Sequence, residues 1–462
     1  MTTIIQEIAQ TISKNFEEEL KKLMTQGKDI SEFILETKKM MDQIGVKLVK
    51  EALESMDQAV KESNDRKRSW VVKSKEDPKS LSTIFGDVAY ERTYYKNKKT
   101  GEFCYLSDEM VGIQSHDRMD ASLKAKLVEE ACDMAYSKSG QKATEAITLT
   151  SQTVMNSIRE LGGVRNDAVK VAHEKKAVKV LFVEADEDHV ANQKGGCLEP
   201  KLVYVHEGKV QVGKDRWELI NARYFSGMYS NSDELWVEVV DYLDEAYDMD
   251  KVEKIYLSGD GARWIRNGVG WIKGSTYVLD RYHLSKYVTV ATGHMPYAKS
   301  FMWEYINKGD KENLKELFEG IIGETEHETK KRAVMEARTY ILNNWDGIRN
   351  QYQTDCIGCS AEGHVSHILS SRLSSRPLGW CRTGVDQMSR LRAFQANGGK
   401  VYDLFIGQKK ESKRESKRIQ IDKAVVRNRK LAASRETIGN LTILNTGKKT
   451  WAYEFLKSIR HA

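Results

Sequence analysis

Three apolar runs in the middle of the chain each lead into an aspartate: VKVLFVEAD (178–186), KVEKIYLSGDG (251–261) and STYVLDRYH (275–283). Runs this short, rich in Val, Ile, Leu and Tyr, read as buried strands rather than helices. After the first come KLVYVHEGK (201–209), KVQVGK and NARYFSG, strand-like pieces on short links that predict an antiparallel meander. The period then changes in NSDELWVEVVDYLDEAYDM (231–249), which starts at Ser232 and carries Leu235, Trp236, Val239, Val240 and Leu243 on one helical stripe. GARWIRNGVGWI, a short helix or loop, precedes the last run. The order β-β-β-α-β-α-β predicts an α/β fold on a mixed sheet.

That order is the one expected of an RNase H-like core, and it gives the aspartates a meaning. Asp186 and Asp260 end strands expected to be neighbours, so both carboxylates emerge from one edge of the sheet. Two acids so placed repel each other unless a cation lies between them. Mg2+ (or Mn2+) prefers such oxygens, and two ions about 4 Å apart would serve phosphodiester chemistry. Within EADEDH, Glu184, Asp186 and Asp188 share one side of the strand. Asp186 is favoured because it stands at the strand's end, with Glu184 early and Asp188 a second candidate ligand. Beyond His283 the chain is helical through residue 352, too long for a loop, which predicts a helical unit inserted at 288–352. CIGCSAEGHVSHILSSR (356–372) follows. At about 100° per residue, Glu362 shares a helix face with Val365, Ser366, Leu369 and Leu373. A carboxylate on a packing face needs a partner, and a metal would supply one.

Composition limits the rest. In 462 residues, 40% apolar content with nine Trp and twenty Tyr suffices for several cores. No apolar run is long enough to span a membrane. The start, MTTIIQEIAQTISKNFEEEL, lacks a basic leader pattern. Six Cys at 104, 132, 197, 356, 359 and 381 do not make a secreted disulfide framework. These features fit a cytoplasmic protein. Residues 1–62 read as an amphipathic helical arm, with Ile8, Ile12, Phe16, Leu20 and Leu23 at three- and four-residue steps, and could support a homo-oligomer. Residues 63–118 read as a basic, Tyr-rich β-hairpin turning at Asn97–Gly101. In 119–165, a helix through Leu123, Leu127 and Ala131, a turn and the capped TSQTVMNSIREL outline a helix-turn-helix, with Gln152, Asn156 and Arg159 on the face for DNA. The core would occupy 174–287 and 353–400 around the insertion. The net charge of +6 is concentrated in the last region, 401–462, where KKESKRESKR (409–418) sets six cations against two carboxylates. There Lys413, Arg414, Lys417 and Arg418 suit phosphate contacts.

Four stretches, VEADEDHVANQ (183–193), YLSGDGARWI (256–265), VLDRYHLSKY (278–287) and CSAEGHVSHILSSRLSSRPLGW (359–380), together resemble the insertion-sequence transposases of the ISLre-two family. Relatives of that family include a group labelled only as an uncharacterised protein family. The resemblance covers nearly the whole chain, and its last motif is long and specific. It implies a DDE-type polynucleotidyl transferase that cleaves transposon ends to leave a 3′-hydroxyl and transfers that hydroxyl into target DNA. Asp186, Asp260 and Glu362 would be the metal-binding triad. Asp280 and His283 of DRYH resemble a motif whose His positions DNA. Arg372, Arg376 and Arg382 flank the Glu362 helix, with Arg390 and Arg392 beyond, and would hold phosphates. Trp380 would stack on a base or pack in the core. The resemblance also implies DNA as partner, a homo-oligomer and a nucleoid-associated place in a bacterial cytoplasm.

Two other readings use the same residues. An RNase H-like nuclease or resolvase would share the triad but perform no strand transfer. A domesticated, non-enzymatic DNA-binding protein would instead use Cys356, Cys359, His364 and His367, whose C-x2-C-x4-H-x2-H spacing suits Zn2+.

Overall fold

The computed structural model describes residues 2–415 other than 173, 215 and 377, without the side chains of 2–7 and 409–415. The chain divides into two compact units, Met1–Ser157 with the segment from Val401, and Ile158–Lys400.

In the first unit, α1 (Thr2–Thr25) pairs with α2 (Ile30–Glu62). Asp29 caps α2 by accepting from the Ser31 amide at 2.6 Å. A small sheet follows, in which β1 (Trp70–Thr83) pairs antiparallel with β2 (Gly86–Asn97), and β3 (Phe103–Cys104) pairs with the end of β2. The long hairpin therefore turns at residues 84–85, and the turn expected at Asn97–Gly101 joins only a two-residue strand. WVVKSKEDPKSLST hides its strand character because it is polar and because register shifts between Val72 and Asp77 break its alternation. Buried Asp57 fastens α2 to β2 by accepting from the Thr93 amide at 2.9 Å and the Thr93 hydroxyl at 2.7 Å. After a short helix at Leu106–Val111 come α3 (Ala121–Asp133), α4 (Tyr136–Ala143) and α5 (Ser151–Leu161). Val154, Ile158 and Leu161 are buried, while Gln152, Asn156 and Arg159 are exposed.

The second unit is built on a five-stranded sheet. After β4 (Val180–Glu187) and β5 (Lys201–His206), the chain makes an exposed hairpin, β6 (Lys209–Gly213) and β7 (Arg216–Leu219). It then returns to the sheet as β8 (Arg223–Gly227), β9 (Lys254–Gly259) and β10 (Ser275–Leu279). The order is β8-β5-β4-β9-β10, antiparallel through β4 and parallel beyond it. β5 and β8 of the expected meander and the later apolar strands are in this sheet, but KVQVGK, expected between β5 and β8 as a strand of the meander, pairs instead in the separate exposed hairpin. Between the parallel strands lie α6 (Ser232–Ala246) and α7 (Arg263–Trp271), whose apolar stripes cover Leu181, Val183, Val203, Val205 and Leu257 on one face of the sheet. The other face carries Phe182, Glu184, Asp186, Tyr204 and His206.

From β10 the chain enters a helical region of α8 (Arg281–Thr292), α9 (Pro296–Lys308), α10 (Lys311–Glu324), α11 (Glu328–Asn343) and α12 (Trp345–Asn350). Its core of Leu284, Met302, Phe318, Val334 and Ile341 continues to Leu279 of β10, so the helices pack on the sheet's edge strand. Next come Ala361–Val365, a π turn Ser366–Ser370 and Ser371–Leu373, one continuous helix labelled α13. α14 (Arg382–Ala396) lies along β8, and α15 (Val401–Glu415) belongs to the first unit. Among the described residues, no helix is long and apolar enough to cross a membrane.

α7 approaches α6 closely: a Cβ built on Gly268 would stand 2.6 Å from the Trp236 ring. Gly268→Ala is therefore expected to destabilise the protein by about 1–3 kcal/mol through overpacking, read as a lower urea midpoint. An unchanged midpoint would mean that α7 shifts freely.

Candidate active site

Strand alternation and the turn after β4 set Glu184, Asp186 and Asp188 as three buried carboxylates in a row. Asp186 takes one backbone bond, from the Glu187 amide at 2.8 Å. Burial raises its pKa, and the charges of Asp260 and Glu362 add to that rise. The Glu187 amide and His283 oppose it, and the net value is about 7. Asp260 follows β9, whose parallel register aligns Ser258 with Glu184 and so brings Asp260 level with Asp186. One oxygen of Asp260 accepts from the Ala262 amide at 2.8 Å. Gly261 turns this loop at φ +93°, where a Cβ would meet Asn344 Oδ1 at 2.8 Å. The Tyr340 hydroxyl of α11 donates to the Asp260 carbonyl. The helical region thus closes on the GDG loop through Tyr340 and Asn344, which no sequence pattern singles out.

Glu362 stands on the first turn of α13. Val365, Leu369 and Leu373 pack inward, whereas Glu362 and Ser366 are exposed, so the face expected from periodicity splits between core and open edge. Asp280 caps α8 by accepting from the Tyr282 amide at 3.1 Å, and it pairs with His283 Nδ1 at 2.9 Å. That bond raises the His283 pKa, the charges of Asp280, Asp186 and Asp260 push the same way, and burial opposes them. The electrostatics therefore link Asp186, Asp260, Glu362 and His283 in one neighbourhood at the carboxyl ends of β4, β9 and β10.

The acids on either side of Asp186 do different work. Burial tends to raise the Glu184 pKa, but bonds from His206, Tyr204 and the Ser360 amide outweigh it and hold it low. The Ser360 amide donates at 2.6 Å and the Ser360 hydroxyl at 3.1 Å. Asp188 accepts from the hydroxyls of Ser370 at 3.0 Å and Ser374 at 2.8 Å. The first acid therefore grips the start of α13 and the last grips its end. Asp188, a candidate ligand in the sequence, is engaged in this clamp, although its Oδ2 is buried without a hydrogen-bond partner. Arg392 completes the support from α14, donating to the carbonyls of His367 (2.6 Å) and Ile368 around the π turn. The four-residue recurrence of Ser366, Ser370 and Ser374 was the available sequence signal for this clamp.

Other expected residues have other surroundings. Arg372 is buried and lies 4.7 Å from the Trp380 ring, and Trp380 donates to the Leu373 carbonyl at 3.0 Å inside the core. Arg390 bonds Asp386 at 2.9 Å, while Arg376 and Arg382 are exposed. Cys356 packs toward Phe182 and Tyr256, His364 pairs with the Tyr224 hydroxyl at 3.0 Å, and His367 is exposed. Burial beside Glu184 pushes the Cys359 thiol well above its usual range. Among the described residues, no three His, Cys, Asp or Glu side chains gather into a ready metal cage. Gln152 and Asn156 bond each other at 2.9 Å on α5. Lys413 and Arg414 fall on α15 beyond the described side chains, and Lys417 and Arg418 lie outside the described residues.

Two outcomes follow from these contacts. Asp188→Ala, or Ser370→Ala with Ser374→Ala, is expected to speed amide hydrogen exchange in α13 at least about tenfold, since a bond to a charged acceptor contributes about 1.5–3 kcal/mol. Ser366→Ala, at an exposed position, serves as the control. In the second, Asp186→Asn stabilises the metal-free protein. The folded pKa of about 7 lies above the ordinary 3.8, so the native state binds the extra proton and loses stability as pH rises between those values. The gain in melting temperature from Asn should build from pH 4 to 7 and level off above. A gain independent of pH would show that Asp186 titrates normally.

Comparison with known proteins places the chain. The model of an uncharacterised protein family, UPF0236, matches residues 23–410. UPF0236 protein TTE0610/TTE0881/TTE1053/TTE2432 of Caldanaerobacter subterraneus subsp. tengcongensis is 42% identical over 99% of this chain and 98% of its own length. UPF0236 protein TTE2489 of the same organism is 42% identical over 97% of each chain. Another relative there, 42% identical over 95% of this chain and 94% of its own, carries eleven locus designations in its name, from TTE0033 to TTE2212. With matches of this length and identity, the chain belongs to the uncharacterised protein family UPF0236.

Proposed function

We propose that this protein is a DNA transposase, a DDE-type polynucleotidyl transferase on an RNase H-like core. The observation that carries the reading is the electrostatic grouping of Asp186 and Asp260, which end adjacent parallel strands, with Glu362, which arrives on a helix after a long helical unit. The strand order, antiparallel on one side of β4 and parallel on the other, supports the RNase H-like assignment. The eleven loci named for one relative also fit, because a self-propagating element leaves many copies of its gene in one genome.

The three acids suit Mg2+ or Mn2+. They offer hard oxygens, and Asp186 is a carboxyl whose pKa burial, helped by the charges of Asp260 and Glu362, raises to about 7, a penalty on its charge that a cation would relieve. A pair of such ions would neutralise charge on the attacking and leaving oxygens of a phosphodiester. The chain's own groups orient the DNA. Asp280 holds His283 by Nδ1 and keeps it cationic to higher pH, which suits a phosphate oxygen. Exposed Arg376 and Arg382 suit the same strand. Exposed Gln152, Asn156 and Arg159 on α5 suit a DNA groove. In the first step water attacks the phosphorus and the P–O3′ bond breaks, freeing a 3′-hydroxyl. In the second that hydroxyl attacks a target phosphorus and displaces the target's own 3′ oxygen. Ile34, Met41 and Leu48, exposed at seven-residue steps along α2, suit association with a second copy.

The test uses DNA from the gene's flanks with Mg2+. Nicks at the element's ends should leave 3′-hydroxyls, and pre-cut ends should join to a target plasmid. Asp260→Asn and Glu362→Gln are each expected to lower cleavage by about 10²–10³-fold, the usual effect of losing one preorganised electrostatic contact, with DNA affinity unchanged. Cleavage without joining would favour a nuclease or resolvase. Undiminished Mg2+-dependent cleavage in both variants would overturn the proposal.

A further inference from the structure

The sheet face that carries Asp186 also holds a concavity of about 440 Å³ beside the start of α13. Glu184, His206, Lys209, Trp217, Tyr224 and His364 line it. Trp217 is 54% exposed, on a hairpin whose other residues are also open to solvent. An indole left this wet calls for an explanation. The hairpin register pairs Trp217 with Gln211 and Leu219 with Lys209, so Trp217 and Lys209 share the hairpin face that looks into the pocket. Lys209 Nζ stands 5.5 Å from the Trp217 ring centre and donates to the Ile357 carbonyl at 2.6 Å. That bond ties the hairpin to the loop before α13 and steadies the ring.

The rest of the lining is aromatic too. The His364 ring lies 4.6 Å from that of Tyr204 and pairs with the Tyr224 hydroxyl. Burial favours the neutral form of His364, and the Glu184 carboxylate in the same lining is taken up by Tyr204, His206 and Ser360. Lys209 is the lysine of the lining, while the carboxylate of Glu218 is paired with Arg216 at 2.7 Å. A pocket lined by several aromatic rings and a lysine ammonium suits a planar heteroaromatic group bearing a phosphate. A base inside a duplex is already stacked and cannot enter.

We propose that this pocket takes an unpaired nucleobase of single-stranded DNA, stacked on Trp217. The proposal rests on the reading of DNA as the substrate and adds a single-strand station to it. The test measures binding of a single-stranded oligothymidylate carrying one 2-aminopurine, without metal, by the quenching of its fluorescence. Wild-type protein should bind and quench. Trp217→Ala should weaken binding about tenfold and abolish quenching, and Trp217→Phe should restore most of both. The fully paired duplex of the same sequence should bind all three alike. Equal single-strand affinity of Trp217→Ala and wild type would overturn the proposal, as would an equal loss on duplex. Asp186→Asn separates the two readings, since it should lose cleavage and keep metal-free capture. Capture by a wild-type protein that never cleaves DNA would sink the transposase reading and leave this site standing.

Discussion

A carboxylate inside an apolar sheet must be bonded, paired or neutralised, and β4 with its following turn buries three of them. They meet that demand unequally. Glu184 takes donors from Tyr204, His206 and Ser360, and Asp188 takes the hydroxyls of Ser370 and Ser374. Asp186, between them, has one backbone amide and two neighbouring acids. The contrast marks Asp186 as the acid of the three whose neighbours are mainly other carboxylates, so that its charge is the least compensated. Glu184 and Asp188 also account for how Glu362 comes to be nearby, since they hold the two ends of the helix that carries it.

Topology supplies the rest of the grouping. The change from antiparallel to parallel pairing at β4 brings the carboxyl ends of β4, β9 and β10 to one edge, the place where open α/β sheets present their ligands. Asp186, Asp260 and Asp280 are the residues at those ends. Tyr340 and Asn344 close on the loop at Asp260 and Gly261 from the helical region, and the helical core includes Leu279 of β10. The region therefore contributes to the shape of the site as well as to the length of the chain.

The legible part of the sequence was the part whose periodicity follows from burial. Strands β4, β5, β9 and β10 are near-continuous apolar runs because both faces of the sheet are covered, and α6 shows its stripe because only one side is. β1 was illegible because its outer face is polar and its register shifts. Asp186, Asp260 and Glu362 were legible as strand-end and helix-start acids. The roles of Glu184, Asp188, Ser360 and Tyr340 were not, because each depends on a contact with an element far along the chain. Arg372 and Arg392 show the same limit in reverse: their charge suggests phosphate, but burial against Trp380 and the carbonyls of α13 claims them.

Arg392 and the π turn belong to one argument. In a regular helix, residues four apart drift by about 40° around the axis, so Val365, Leu369 and Leu373 would not all keep to the core while Ser370 and Ser374 both reach Asp188. The wider turn at Ser366–Ser370 takes up part of that drift. It also disturbs the backbone ladder and leaves the carbonyls of His367 and Ile368 in need of donors. The planar guanidinium of Arg392 reaches both carbonyls, and the Ser371 hydroxyl adds a donor to that of His367 at 2.9 Å. The helix that brings Glu362 to the site is thus kept in its irregular form from two sides, by acids of the sheet and by an arginine of α14, and neither support involves Glu362 itself.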